Sequence, residues 1–326
     1  MKQVFEVKNS HKRVDVFLSQ TLEISKSQAL HLVKSSLVCI NHMVCKKGGE
    51  SLKIGDKVMI LAPPVIPCEK PSEIHRDIAI IYEDSEILLL NKPPGLVVHS
   101  APSVKEATLV DWLKMKGFSL SSLSGEERYG IVHRLDKQTS GAIIIAKTNQ
   151  AHVKLSQQLK NREMGRYYLA IIDGIMPQKM TIECQIGRHP KNRLKMANLD
   201  TFRHKRLVSR YSKSDFIPLL ESKNGKFQLI GAKLYTGRTH QIRAHLQTLS
   251  KHILGDRLYG YELDMDIRIM LHAYLIYFIH PLTGKKMFFK VPVFDDMLKF
   301  LNDNFDRIIL DEVTREDFIF HCFDTF

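Results

Sequence analysis

Residues 130–146 read GIVHRLDKQTSGAIIIA. A polar stretch, HRLDKQTSG, lies between the apolar pair Ile131-Val132 and the run AIIIA at 142–146. A short apolar run rich in β-branched residues next to a turn signal reads as a buried strand. Asp136 therefore stands on a loop presented by a rigid sheet, a common location for reactive groups. Arg134 and Lys137 flank it with positive charge, so it can serve as a nucleophile or a base. On composition alone it can equally cap a turn with Thr139 and Ser140.

Outward from this stretch the pattern is mainly strand. AIIYEDSEILLL (79–90) reads as a hairpin, and GLVV (95–98), YYLAII (167–172) and FQLIGAKLY (227–235) read as further strands. Helical spacing covers residues 108–116, 149–162 and 239–249, and SLSSLSGEE from Ser119 reads as a loop. Regular alternation of strand and helix is missing. The expectation is an α+β fold built on a largely antiparallel mixed sheet with flanking helices.

The first 61 residues form a separate pattern. Val14, Phe17 and Leu18 share a helix face, and Ser25 with Gln28 gives a capping-box signature for a second helix. Short strands are expected at 37–40, 43–45 and 57–61 around Asn41-His42 and Gly55-Asp56. Ten bases, Arg13 and Lys26 among them, stand against five acids there. Next comes LAPPVIPCEKPSE (61–73), whose prolines make an extended, semi-rigid connector. The expected organisation is a small αβ module over 1–61, a Pro-rich linker over 62–75, a main domain over 76–293 and an acidic extension over 294–326.

Charge agrees with that division. The 326-residue chain has 48 Lys and Arg against 35 Asp and Glu, a formal net charge of +13. Such a balance points to a polyanionic partner, nucleic acid or an acidic membrane surface. Residues 294–326 hold nine acids and three bases, a net of −6, so residues 1–293 carry +19. Residues 187–213 hold nine bases, among them Arg188, Arg193 and Arg203, against Asp200 alone. This loop-like region reads either as a surface that follows nucleic-acid phosphates or as a solvated, flexible insertion. With 44% hydrophobic residues, disorder is excluded as the dominant state. The five cysteines are odd in number and lack C-x-x-C or ligand spacing, against a disulfide framework or structural zinc. Without an apolar signal core or an 18-residue apolar run, the expectation is a soluble cytoplasmic protein, monomeric and with no membrane partner.

HRLDKQTSG resembles the H-R-L-D-x-x-T-S-G signature of the RluA family of RNA pseudouridine synthases. Other resemblances follow in order. LNKPPGLVVHS (90–100) resembles the family's strand and turn before that signature, and RYYLAIIDG (166–174) its K-x-Y-x-A-x-x-x-G. LYTGRTHQIRAHL and ILGDRLYG resemble its second basic motif, and LHAYLIYFIHPLTGKK its closing strand. RVDVFL, SKSQALHLVKSSLVCINHMV and LKIGD resemble the small RNA-binding domain shared with ribosomal protein S-four. The resemblance runs from about residue 12 to 296.

It implies isomerisation of uridine to pseudouridine in RNA, with no cofactor or metal. The essential carboxylate falls on Asp136, which attacks C1′ or removes the C2′ proton. Its basic partner falls on Arg243, with Arg238 as the alternative or as a phosphate contact. The active-site tyrosine falls on Tyr168, while Tyr167, one position away on a strand, faces the other side. Arg134 matches the residue that fills the gap left by a flipped base, and His133 orders the loop. Arg13, Lys26, Arg188, Arg193 and Arg203 are expected phosphate contacts. The implied partner is RNA, most often large-subunit ribosomal RNA; the alternatives are transfer RNA, a non-catalytic RNA-binding or chaperone-like protein, and a hydrolase pairing Asp136 with His133. The chain departs from the family pattern at LVSRY (207–211) and lacks a proline before ILGD.

Overall fold

The computed structural model describes residues 3–11, 13–22, 24–61, 77–100, 104, 106–202, 207–262 and 265–324. Within the first 61 residues are strand β1 (Gln3–Glu6), helices α1 (Val14–Thr21) and α2 (Lys26–Lys34), and strands β2 (Val38–Ile40), β3 (Met43–Val44) and β4 (Lys57–Ile60). The strands pair antiparallel in the order β1-β4-β2-β3. Val14, Phe17 and Leu18 are buried, and Ser25 caps α2 while Gln28 bonds back to the Ser25 amide, the full capping box. Sequence patterning did not anticipate β1, which exists through its pairing with β4. The apolar side chains here form their own cluster, entered from outside by Leu123, with Val153 against it. The proposed linker lies outside the described residues.

The remaining strands are β5 (Ala79–Glu83), β6 (Ile87–Lys92), β7 (Ser140–Ala146), β8 (Gly165–Asp173), β9 (Met180–Arg188), β10 (Met196–Asn198), β11 (Ser209–Glu221), β12 (Phe227–Leu234), β13 (Leu271–Ile279) and β14 (Lys286–Lys290). They form one sheet in the order β10-β9-β11-β12-β8-β13-β7-β6-β5, with β14 paired to β13. The β13–β7 pair is parallel and the other pairs are antiparallel. Helices α3 (Leu109–Met115), α4 (Asn149–Asn161) and α5 (Gln241–Thr248) fall where the spacing predicts them. The α+β fold and its largely antiparallel mixed sheet are as expected. Among the described residues no helix is long and apolar enough to cross a membrane.

Two local expectations are corrected. Residues 95–98 are a turn and not a strand: Pro93 and Pro94 precede Gly95, which adopts φ 80°, and only Val97 makes a bridge, to Thr108. The basic stretch 187–213 is not a flexible loop where described. Met196 pairs with Arg188, and Ser209 to Lys213 pair with Gly187 to Glu183, so sheet hydrogen bonding orders it. Residues 203–206, with Arg203, lie outside the described residues.

The acidic end forms helices α6 (Asp295–Asn304), α7 (Arg307–Val313) and α8 (Glu316–Cys322). Their apolar faces bury Phe300, Phe305, Leu310, Ile319, Phe320 and Phe323 in the main core, while Asp303, Asp306, Asp311 and Glu312 stay exposed. Period-3.6 amphipathicity accounts for both faces.

Candidate active site

Asp136 precedes β7, every residue of which is buried between β6 and β13. Its turn closes through the Thr139 amide, which donates to the Asp136 carbonyl at 3.1 Å. A second turn braces it from below. Lys92 is fully buried, and its Nζ donates to the carbonyls of Pro93, Leu96 and Lys137 at 2.8, 2.9 and 3.2 Å. The Gly95 amide also donates to the Lys137 carbonyl, at 2.8 Å. Lys92 was not singled out from the sequence. The signal lay in the quoted LNKPPG, where a lysine follows a fully apolar run.

The Asp136 carboxylate does not cap its own turn. Ser140 Oγ lies 2.9 Å from His272 Nδ1, whereas Asp136 Oδ2 faces Arg243 Nη1 at 3.4 Å. The neighbouring bases are turned elsewhere. Lys137 pairs with Glu106 at 2.8 Å, and Arg134 is exposed. Asp136 thus draws its counter-charge from a residue 107 positions away.

Arg243 is 6% exposed and held from three sides. Its Nε and Nη2 donate to Asp256 at 2.6 and 2.8 Å, and the guanidinium lies 4.7 Å from the centre of the Tyr259 ring. The planar fork grips Asp256 with two nitrogens, leaving only Nη1 for Asp136. Burial opposes the Arg243 charge, but Asp256 and then Asp136 more than restore it. Tyr259 is fixed in turn by Met196, whose amide donates to its hydroxyl at 2.8 Å. Asp256 and Tyr259 stand in the quoted ILGDRLYG but carried no assignment.

His240 was also missed. Its Nε2 lies 3.9 Å from Asp136 Oδ2 and its Nδ1 3.1 Å from the Tyr259 hydroxyl. The residue adopts φ 53°, in the left-handed region, which histidine enters more readily than most side chains. Burial lowers its pKa from the ordinary histidine range. Gln241 sets this turn: its Oε1 accepts from Thr236 Oγ1 and the Arg238 amide, and its Nε2 donates to the Lys213 carbonyl and Ser214 Oγ.

Tyr168 and Tyr167 divide as strand alternation requires. Tyr168 lines the pocket with Asp136, Arg243, Arg134 and Arg238. Tyr167 lies beneath the other face, 5.3 Å from the Phe320 ring and 5.4 Å from that of Phe323. Burial raises the Tyr168 pKa, so its hydroxyl keeps its proton.

His133 is buried under the loop. Its Nε2 accepts from the Ile144 amide at 3.1 Å, and burial pushes its pKa down to about 3. A neutral imidazole pinned to β7 orders the loop. Arg238 also lines the pocket, with its Nε donating to the Tyr211 carbonyl at 2.9 Å.

A wider groove of about 680 Å³ opens beside the pocket and reaches Gln28 of α2. Arg134, Arg166 and Arg238 line both, and Arg128, Lys160, Arg162 and Arg210 line the groove alone. No Asp or Glu lines the groove among the described residues. Four of the expected phosphate contacts lie elsewhere: Arg13 pairs with Asp15 at 2.6 Å, Arg188 donates to the Arg193 carbonyl, and Lys26, Arg188 and Arg193 line neither cavity. The groove draws its bases from several separate elements, Arg166 from β8 and Arg210 from β11 among them, and of the described bases in the stretch 187–213 only Arg210 lines it.

The family model described as RNA pseudouridylate synthase matches residues 86–248, a span that contains Asp136, Tyr168, Arg238 and Arg243. The chain belongs to the RNA pseudouridine synthases. The synthase is 53% identical over 99% of both chains to a Helicobacter pylori (strain J99) protein described as an uncharacterized RNA pseudouridine synthase. It is 33% identical to the ribosomal large subunit pseudouridine synthase D of Xylella fastidiosa, over 89% of this chain and 88% of that protein. In fold, the synthase resembles human RNA pseudouridylate synthase domain containing 1, with TM-score 0.58 and 24% identity over 76% of this chain and 98% of that one. As a pseudouridine synthase it is an isomerase acting on RNA, the activity that the resemblance implied.

Proposed function

We propose that the synthase isomerises uridines of large-subunit ribosomal RNA, with Asp136 as the group that acts on the ribose. The observation that carries the assignment is the carboxylate facing Arg243 at 3.4 Å inside a pocket that also holds Tyr168. Asp136 attacks C1′ or takes the C2′ proton, and either route uses an ionised carboxylate. Arg243 supplies its counter-charge and Asp256 keeps that counter-charge aimed. Cleavage of the bond to N1 frees the uracil, which turns and rejoins C1′ through C5. Tyr168 stacks on the base and takes part in the proton change at C5.

A uridine within folded RNA must be flipped out at a cost of about a few kcal/mol, and Arg134, exposed at the pocket mouth, fills the vacated position. Ribosomal RNA is favoured by the similarity to ribosomal large subunit pseudouridine synthases D of Xylella fastidiosa and Neisseria meningitidis. A ribosomal substrate puts the enzyme in the cytoplasm. The small unit over 1–61 acts as an S-four-like RNA-binding domain, and its contact through Leu123 aligns it with the groove.

Two experiments test the reading. Pseudouridine mapping of cellular RNA with and without the protein should show sites lost from large-subunit ribosomal RNA; losses confined to transfer RNA would redirect the substrate. An Asp136→Asn variant should lose pseudouridine formation while still binding RNA. Retained turnover in that variant would remove Asp136 from the mechanism.

A further inference from the structure

Among the described residues, Arg166 is a buried cation without a counter-ion. It lies on β8 two positions before Tyr168 and so on the same face, and it is 8% exposed. Among the described residues it makes no salt bridge, and its Nε has no hydrogen-bond partner. The groups acting on it are its own burial and the Tyr168 hydroxyl, with no carboxylate among them. The Asp136 charge is met by Arg243, so Arg166 is not needed for that balance.

Its surroundings make room for something to meet it. Arg166 lines both the Asp136 pocket and the basic groove, at the junction of the two. Across from it stands Gly237, where a Cβ would lie 2.8 Å from Nη1. Any side chain at 237 would push into the guanidinium. A guanidinium keeps its proton at all working pH values, and leaving it buried and unpaired is strongly unfavourable. Other bases of the groove, Arg134 and Arg238, approach the same junction, which makes the local field more positive still.

We propose that Arg166 is a built anion site that takes a phosphodiester next to the flipped uridine, at the junction where the strand passes from the groove into the pocket. The planar fork presents parallel N–H donors that match two phosphate oxygens. Binding RNA then supplies the counter-ion that the free fold lacks, and part of the substrate's binding energy goes into relieving a buried charge. The inference rests on the reading of the Asp136 pocket as the uridine site, and it concerns binding where that reading concerns turnover.

The full-length protein and its Arg166→Gln, Arg166→Lys and Asp136→Asn variants provide the test. With single-stranded oligouridylate as the probe, Arg166→Gln should weaken binding about tenfold or more and lower the slope of log affinity against log salt by about 0.7. Arg166→Lys keeps the charge, so it should keep the slope while losing part of the affinity. With inorganic phosphate as the probe, the wild type should gain thermal stability that Arg166→Gln does not. In the absence of any anion Arg166→Gln should unfold at the same or a higher temperature, because it removes an unpaired buried charge. A lower unfolding temperature with an unchanged salt slope would make Arg166 a packing residue and overturn the proposal. Equal phosphate stabilisation of both proteins would overturn it as well. Asp136→Asn separates the two readings: it should bind oligouridylate with the full slope, and any retained turnover there would count against the Asp136 assignment and not against Arg166.

Discussion

Arg243 shows how one residue can be recognised by type while its geometry stays illegible in the sequence. The resemblance to the family's second basic motif marks it as the partner of a carboxylate, but chain-local reasoning cannot count how many carboxylates compete for one fork. Asp256, 13 residues on, takes two of its nitrogens, and Asp136 receives the third at a longer distance. Such an arrangement orients Arg243 before substrate arrives, so an Asp256→Asn exchange should lower kcat at least tenfold, as about an ångström of misplacement suffices to do. The same exchange leaves a buried guanidinium half-paired and should reduce folding stability by about 3 kcal/mol. Steady-state kinetics and urea unfolding of the variant check both effects, and an unchanged kcat would show that Arg243 needs no clamp.

At the scale of the element, the approach of β7 to β13 decides whether the Asp136 loop exists at all. The two strands run parallel through Ser140 and Gly141, the last residues of HRLDKQTSG. Gly141 adopts φ 109°, and a Cβ there would lie 2.2 Å from the Ala273 carbonyl oxygen. Only glycine permits that contact. A Gly141→Ala exchange should therefore cost about 3 kcal/mol or more and disturb the loop. Thermal unfolding with the activity of the folded fraction measures this; a stable, active alanine variant would mean that the strands can part. The β8 alternation was legible in the same terms, since a period of two sends Tyr168 to the pocket and Tyr167 to the core whatever the rest of the fold does.

Across the whole molecule, two features reach beyond any one element. Four buried histidines have pKa values pushed down by burial, His133 to about 3 and His152, His245 and His272 to about 4. Each takes up a proton more readily once unfolded, so the unfolded chain binds more protons in acid. The stability tied to their neutral forms is complete above about pH 6.5 and is lost as the pH falls toward about 4, by up to about 1.4 kcal/mol per pH unit for each histidine. Urea midpoints measured between pH 7.5 and 4.5 should fall steadily on the acid side; a flat profile would mean that these rings are accessible to solvent. The second feature is the acidic end. Phe300, Phe305, Phe320 and Phe323 belong to the main core, and burying each contributes about 1.5–3 kcal/mol against a net stability of about 5–15 kcal/mol for a typical domain. Removing residues 294–326 should abolish cooperative unfolding, as circular dichroism melts would show. A truncated chain that stayed folded and active would make the segment an appendage.

The sequence by itself determined the α+β class, the short helices with their caps, the loop that carries Asp136 and the residue types that meet there. Those features are local: they rest on periodicity, turn chemistry and a contiguous motif. Tertiary structure alone decided how Arg243 is shared between Asp136 and Asp256, that Tyr259 and His240 stand beside it, and that Arg166 is buried without a salt bridge among the described residues. It also decided where the basic groove runs. Pairing and burial are properties of space, and residues 107 positions apart become neighbours only when the sheet brings β7 and α5 together. Among its described residues, the charge run 187–213 therefore contributes one base, Arg210, to the groove beside the Asp136 pocket, and the fold gathers the others from elsewhere along the chain.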